Sequence, residues 1–539
     1  MTATSFGRTA VGANSLIVAL ENPACYPHAV TAVRVIETHI SWVFLTGQYA
    51  YKIKKPVNAE FADFSSLELR KHFCEEELRL NRRLAPGLYL EVVPIGGSTD
   101  APRVGGAGPA LEYAVKMREF PQDALASRAI EDGRLEKTAV EELAVRIAAF
   151  HATAPRTPAE GGLGAPAGLL RSAMQNFEQM LPLVTAPADR NSLLSLRRWT
   201  RREFARGSAI FHARKAAGFV RECHGDLHLG NIALIDGRPV PFDCIEFSAE
   251  LRWIDVMSEL AFVVMDIEDR RRGDLAWCFL NRHLEETGDY EGIRVLRFYL
   301  VYRALVRAKV HLMQSAQFGA DAPENLRLMN ASQEYLQHAA RYAAPAHPIL
   351  ILTHGLSGCG KTTCTQMLTG ALGAIRLRSD LERKRMAGLG ALHRSDSALN
   401  NGIYTPAATA ATYRRLGALA RDVLVSGFSA IVDATFLERV DREALRAIAS
   451  ACNVPMVVLD FHAPLQLLRD RVRARQARAD DASEAGVPAL ERQIATREPL
   501  TPAEIAASLV VDSTLPPEHS IWQQLPHRIR LLVERVRPP

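Results

Sequence analysis

The hydrophobic positions of this chain follow two rhythms. From residue 349 onward, short apolar runs alternate with helical stretches: 349–352 precedes TTCTQMLTGAL, and further runs lie in AIRLRSD, SAIVDATF, VPMVVLDFHA and SLVVDST. Continuous apolar strands separated by helices predict a parallel sheet covered on both faces, a three-layer α/β domain. The first half opens instead on a hairpin pattern, HISWVFLTGQYAYKIKKPV, in which WVFL and YAYKI flank the turn-prone Thr46 and Gly47. A period of two puts Ala50, Lys52 and Lys54 on one face of the second strand, aiming at least one lysine inward. SLELRKHFCEEELRLNRRL then changes to a helical period, with Phe73, Glu77, Leu80 and Leu84 on one stripe and Glu75 and Glu76 rotated away. A carboxylate in an apolar stripe needs a partner, and a strand lysine is the candidate. The other reading of these residues is a solvated glutamate run.

A second hairpin is written in NIALIDGRPVPFDC, where apolar residues flank Asp236 and Gly237. A two-residue loop there pairs Ile235 with Arg238 and brings Asn231 opposite Phe242, so Asn231 and Asp243 become neighbours at the open end. Pro239 and Pro241 then fall at positions where a missing N–H is tolerated on an edge strand. With Asp226 five residues before Asn231, the group forms a candidate oxygen-ligand Mg²⁺ site and a separate carboxylate able to orient a hydroxyl.

Composition narrows the classes. At 539 residues the chain exceeds one core and suggests about two to four domains. Hydrophobic content of 48% and charged content of 23% let each half bury a core. A formal charge of +5 suits phosphate ligands but is not the dense basic footprint of a dedicated nucleic-acid binder. The eight cysteines are scattered without CxxC pairs or zinc spacing, so reduced thiols are expected rather than disulfides or a metal site. SLIVAL is too short for a signal core, and no apolar run is long enough to span a bilayer, so a cytoplasmic location is expected. YAAPAHP marks a boundary: a first domain over 1–341, a linker at 342–348 and a second domain over 349–539. Proteolysis is expected to cut near 340–348, and a fragment from about 345 to bind nucleotide by itself. The Pro/Gly/Ala-rich stretch 154–168 reads as a loop, and no internal repeat is present.

GLSGCGKT fits GxxxxGKT between a strand and a helix, the context in which that motif cradles phosphates. Its predicted ATP contacts run through Gly355, Ser357, Gly358, Cys359, Gly360, Lys361, Thr362 and Thr363, with Lys361 bridging β- and γ-phosphates and the Thr362 hydroxyl on Mg²⁺. The alternative is a glycine-rich turn with an exposed lysine. Asp380 and Asp433 end apolar runs at the ligand-binding edge of the predicted sheet. Asp433 suits Mg²⁺ held through water, and Asp380 suits an acceptor hydroxyl, although either could cap a strand end facing solvent. Arg471, Arg475 and Arg478 line one helix face, either as a solvated basic surface or as part of a site.

HGDLHLGN and DCIEF resemble the catalytic segments of the aminoglycoside phosphotransferase family, which shares the protein-kinase fold. The resemblance, over about residues 35–335, implies an α+β kinase-like domain. In it Asp226 is the catalytic base, Asn231 and Asp243 are metal ligands, Lys52 contacts phosphate, Glu77 is its helix partner and Asp255 of WIDVMSELAF braces the catalytic loop. Two departures stand out: there is no GxGxxG loop, only Gly47, and DCIEF leaves open whether Glu246 assists the ion. Which of Lys52 and Lys54 meets the phosphates also stays open. His224 and His228 read as loop braces, since a third metal ligand is missing. GLSGCGKT, RSDLERKR and VDATF resemble P-loop kinases of the zeta-toxin and polynucleotide-kinase type. The arginine run is similar to the lids of nucleoside-monophosphate, gluconate and shikimate kinases, which implies that Arg471 and Arg475 stabilise the transferring phosphoryl group. The whole chain resembles bacterial fusions of an aminoglycoside-phosphotransferase-like domain with a P-loop ATP-binding domain. That implies an ATP- and Mg²⁺-dependent phosphotransferase with two sites and a small-molecule hydroxyl acceptor. Two alternatives remain: a P-loop domain acting on nucleic-acid ends or a nucleotide sugar, and one site serving as an ATP sensor for the other.

Overall fold

The structure, a computed structural model, describes residues 11–536 apart from 60–61, 159, 320, 392, 394–401, 479–482 and 517–518. Its contacts divide the chain into two compact units, residues up to 169 with 212–263, and 170–211 with 264 onward.

The first unit is built on a six-stranded antiparallel sheet in the order Arg34–Glu37, Ser41–Leu45, Tyr49–Lys54, Glu112–Arg118, Tyr89–Ser98, Ala101–Val104. The first predicted hairpin is present, with Leu45 opposite Ala50 and Val43 opposite Lys52. Helix Leu67–Asn81 begins at Ser66, whose hydroxyl accepts from the Leu69 N–H, and buries Cys74, Glu77 and Leu80. The second hairpin has the register its Asp-Gly turn dictates: Ile235 pairs with Arg238 and Ile232 with Pro241. Asp236 and Gly237 both take positive φ, as a tight primed turn requires. The Phe242 N–H donates to the Asn231 carbonyl at 2.9 Å, extending the ladder to the two candidate metal ligands.

In the second unit five parallel strands run in the order Ala374–Arg378, Ser429–Asp433, Leu350–His354, Met456–His462, Ser508–Asp512. The four apolar runs and the strand before the P-loop account for all of them. Asp380 does not end its strand as expected. The strand stops at Arg378, and Asp380 lies in the first turn of helix Ser379–Met386.

Packing does not break at 342–348, where proline and small residues led us to expect it. The Arg297 guanidinium donates to the carbonyls of Tyr342 and Ala344, and the Tyr342 hydroxyl donates to Glu268 at 2.5 Å. These ties fix the end of helix Pro323–Ala343 to the helices preceding it, inside the second unit. All eight cysteines are free, and all but Cys452 are buried. No described helix is long and apolar enough to cross a membrane.

Candidate active sites

In the first unit, strand alternation turns Lys52 and Lys54 toward the helix that carries Glu77. The Glu77 carboxylate, fully buried, accepts from Lys52 Nζ on one oxygen and from Lys54 Nζ on the other, both at 2.8 Å. Lys52 also donates to Asp243 Oδ1 at 2.5 Å, and Lys54 to the Glu246 carboxylate. The Lys52 side chain keeps 11% exposure and Lys54 none, so of the two only Lys52 retains exposed surface. Burial alone would lower the Lys52 ammonium, but Asp243 and Glu77 hold it well above its ordinary value. Burial likewise opposes the Glu77 charge, and the two lysines overcome it, keeping the carboxyl below its usual range. Glu246 is pushed up by burial despite Lys54, because Glu77 repels it.

Asp226 presents a side chain 38% exposed. Asn231 Nδ2 donates to the Asp226 carbonyl at 3.0 Å and to its carboxylate at 3.1 Å. His228 caps the short turn Leu229–Asn231 by accepting from the Gly230 N–H. His224 bridges two segments: Nε2 bonds the Phe242 carbonyl at 2.8 Å and Nδ1 accepts from the Asp226 N–H at 3.3 Å. Burial lowers its pKa, consistent with the neutral tautomer these bonds require. Both histidines therefore brace loops. Asp243 sits at φ 64°, a strained conformation for a non-glycine residue, with its N–H donating to the Tyr89 hydroxyl.

The brace expected at Asp255 is elsewhere. Asp255 is paired with Arg214 at 2.7 Å and accepts from the Met257 N–H. The carboxylate that accepts the amides of His224 and Gly225, just before Asp226, at 2.7 and 2.9 Å, is Glu259, four residues on and fully buried. Its other oxygen bonds His151 Nε2 at 2.8 Å. His151, Cys223 and Glu259 form a cluster of metal-ligand type, yet Glu259 is already engaged on both oxygens, which fits a brace. Sequence reasoning also missed Asn81, which takes the Cys244 N–H at 2.9 Å, and Arg79 and Arg83, which grip Glu222 just before the catalytic segment. Asn81 lies one helical turn after Glu77, and that spacing was the available signal.

In the second unit the P-loop leads from strand Leu350–His354 into helix Lys361–Leu372. Lys361 Nζ donates to the carbonyls of Gly355 and Leu356 at 2.9 and 2.8 Å. A cavity of about 1280 Å³ is lined by Ser357, Gly358, Gly360 and Lys361 through Thr363, together with Asp380, Asp433, Arg471 and Arg475. Gly355 and Cys359 do not line it; Cys359 is buried beneath the loop. Asp433, 5% exposed, accepts from the Thr365 hydroxyl at 3.0 Å. Arg471 and Arg475 donate to the Ser513 and Ala485 carbonyls, while the Arg478 side chain lies outside the described residues. Gln493 was not foreseen: its Oε1 accepts the Ser357 N–H of the loop at 2.8 Å.

The chain is 30% identical over 464 residues to uncharacterised proteins of Mycobacterium tuberculosis and Mycobacterium bovis, an alignment covering 85% of this chain and 90% of theirs. It belongs to their family. Within this family member, residues 350–500 match the AAA domain family. Among solved structures, a choline/ethanolamine kinase family protein from Mesorhizobium loti is 11% identical, covering 61% of this chain and 98% of its own, with a TM-score of 0.35. A gluconokinase from Sinorhizobium meliloti is 19% identical, covering 36% and 96%, with a TM-score of 0.26. In this family member, then, the first unit joins the Lys52–Glu77 pair to Asp243 and holds Asn231 against Asp226, and the second carries the matched AAA domain with its P-loop.

Proposed function

We propose that the chain is an ATP-dependent phosphotransferase with two nucleotide sites, each serving transfer of the γ-phosphoryl group to a hydroxyl of a small-molecule acceptor. The observation that carries this reading is the juxtaposition of Lys52 with both Glu77 and Asp243, partners 25 and 191 residues away, beside the Asp226–Asn231 pair. Lys52 is the phosphate contact because it alone of the two lysines keeps exposed surface, and Lys54 is a buried counter-charge for Glu77 and Glu246. Asp226 orients and deprotonates the acceptor hydroxyl. Asn231 and Asp243 offer the hard oxygen donors that suit Mg²⁺, which when bound neutralises phosphate charge.

In the P-loop half, Gly358 at φ 84° lets the loop turn tightly against the Leu468 carbonyl, where a Cβ would lie at 3.0 Å, and a loop so held can serve as a phosphate cradle. Lys361 then serves the phosphates, Thr362 and Asp433 hold Mg²⁺, Asp380 orients the hydroxyl, and Arg471 and Arg475 offset developing charge. The signatures of the first activity lie within 1–341 and those of the second within 349–539, on either side of 342–348.

The test is transfer of labelled γ-phosphate from ATP into a metabolite extract, by the full chain carrying Asp226→Asn, Lys361→Ala or both. Each single variant is expected to lose a different labelled product and the double variant all of them. Labelling that survives in the double variant sinks the proposal.

A further inference from the structure

The P-loop helix Lys361–Leu372 and the edge strand after it are completed by a helix far earlier in the chain than the motif, Gly273–Thr287. At Gly370 the approach is backbone to backbone: a Cβ there would lie 2.8 Å from Asp274 Cα. At Gly373 the contact is with a side chain: a Cβ there would lie 3.2 Å from Cε2 of the Trp277 ring. Farther along, Asn281 does what a neighbouring strand would do for Ala374–Arg378. Its Oδ1 accepts the Arg376 N–H at 2.6 Å, and its Nδ2 donates to the Ala374 carbonyl at 2.9 Å. Tyr290 adds a hydroxyl bond to the Arg376 carbonyl.

One side chain of this helix reaches further. Glu285 Oε1 accepts from Arg376 Nε and Nη2 at 2.9 and 2.6 Å, and its Oε2 lies 3.6 Å from Arg378 Nη1. Arg376 in turn donates from Nη1 to the carbonyl of Thr362, at 3.2 Å. Glu285 and Arg376 keep only 3% and 6% exposure, so neither charge has water as a substitute partner. Arg378 lines the P-loop cavity and stands beside Asp433 on the adjacent strand.

We infer that Glu285 is a positioning residue of the P-loop site, fixing the first turn of the P-loop helix through Arg376, and that helix Gly273–Thr287 is a working part of that site. The inference rests on the reading of the P-loop as a nucleotide site. It assigns to that site a segment that the sequence signatures leave in the first domain.

The test uses the full chain with Asp243→Ala, which silences the other site, and reads two quantities. Affinity for Mg²⁺-ATPγS is expected to fall about 10- to 100-fold in Glu285→Ala and less in Glu285→Gln, which keeps an acceptor for Arg376. Without nucleotide, hydrogen exchange should accelerate over 361–372 and not over strand Met456–His462. Gly370→Leu, which wedges the two helices apart while leaving Glu285 and Arg376 unchanged, should give the same pattern. Affinity within about twofold of the parent and unchanged exchange over 361–372 in both variants would overturn the inference, as would exchange that rises uniformly through the second unit. If Lys361→Ala leaves the parent's nucleotide binding unchanged, the P-loop reading itself has failed. The local exchange of Glu285→Ala then still decides whether Glu285 holds the Thr362 turn.

Discussion

In the first unit the proposed reactive groups come from four separated stretches of chain, whereas in the second a single strand, loop and helix supplies most of the proposed phosphate contacts. Lys52 meets an aspartate 191 residues away, and its charge is balanced by carboxylates within the protein. Lys361 leans on carbonyls five and six residues before it. A site made from distant side chains depends on their charges, while one made from local backbone depends on its conformation. The largest expected effect tests the side-chain site. In a Lys361→Ala background, Asp226→Asn should reduce phosphoryl transfer by about 10²–10⁴-fold, the usual share of a general base. Mg²⁺-ATP affinity of the first site, read by calorimetry, should stay near the parent value. A parallel loss of affinity would mean that Asp226 holds the nucleotide rather than the acceptor.

Next in size is the ion network itself. Glu77→Gln leaves two buried ammonium groups short of a counter-charge, at a cost of about 3–5 kcal/mol. Denaturant unfolding should show this in the transition of the first unit. Lys54→Met combined with Glu246→Leu removes a buried pair together and should be close to neutral in stability, with transfer preserved. Lys52→Met should fold and fail to transfer. Equal losses of transfer from the Lys52 and Lys54 changes would erase the distinction drawn between them.

The same contrast explains how much was legible in the sequence. The register at Asp236-Gly237 could be read because a two-residue turn fixes every pair beyond it, and Glu77 because helical period and apolar neighbours exposed a misplaced charge. The parallel strands declared themselves as apolar runs. What stayed hidden was tertiary. Glu259, rather than Asp255, holds the loop at His224–Gly225, and two acids four residues apart on one apolar segment carry no local mark of which way each will face. The boundary at 342–348 had the composition of a linker, but the hold of Arg297 on Tyr342 and Ala344 has no signature in either segment. Gln493 on the Ser357 amide belongs to the same class.

A third prediction sets two glycines against each other. Gly358 has φ 84° and no room, its Cβ position being 3.0 Å from the Leu468 carbonyl and 3.1 Å from a Val472 methyl. Gly47, the sole glycine of the first hairpin turn, has φ 90° but nothing within 4 Å. Gly358→Val should therefore weaken nucleotide binding at the P-loop at least about tenfold, while Gly47→Ala should cost about 1 kcal/mol of backbone strain and leave the first site's affinity nearly unchanged. Fluorescent-nucleotide titration of each variant, with the opposite site silenced, measures both. A large affinity loss from Gly47→Ala would show that the first site too relies on a backbone loop over the nucleotide.

The smallest expected effect separates the two units by pH. Glu77 is held below its ordinary value, so its stabilising contribution is present above the unfolded carboxylate range and is lost as pH falls toward about 2. Asp441, at the start of helix Arg439–Ala451 in the P-loop cavity, behaves oppositely. Burial and the neighbouring Glu438 push its carboxyl up from 3.8 to about 6, although Arg442 pulls it back. The folded state then keeps a proton that the unfolded chain releases, so stability declines as pH rises from about 4 to about 6 and is level above that. Asp441→Asn removes this loss and should raise the melting temperature of the second unit at pH 8, with a smaller gain at pH 5. Because the group is only partly buried, screening limits the gain to about 1 kcal/mol or less. Melting curves of parent and variant at the two pH values decide it: an offset that does not depend on pH would mean that Asp441 is not the titrating group.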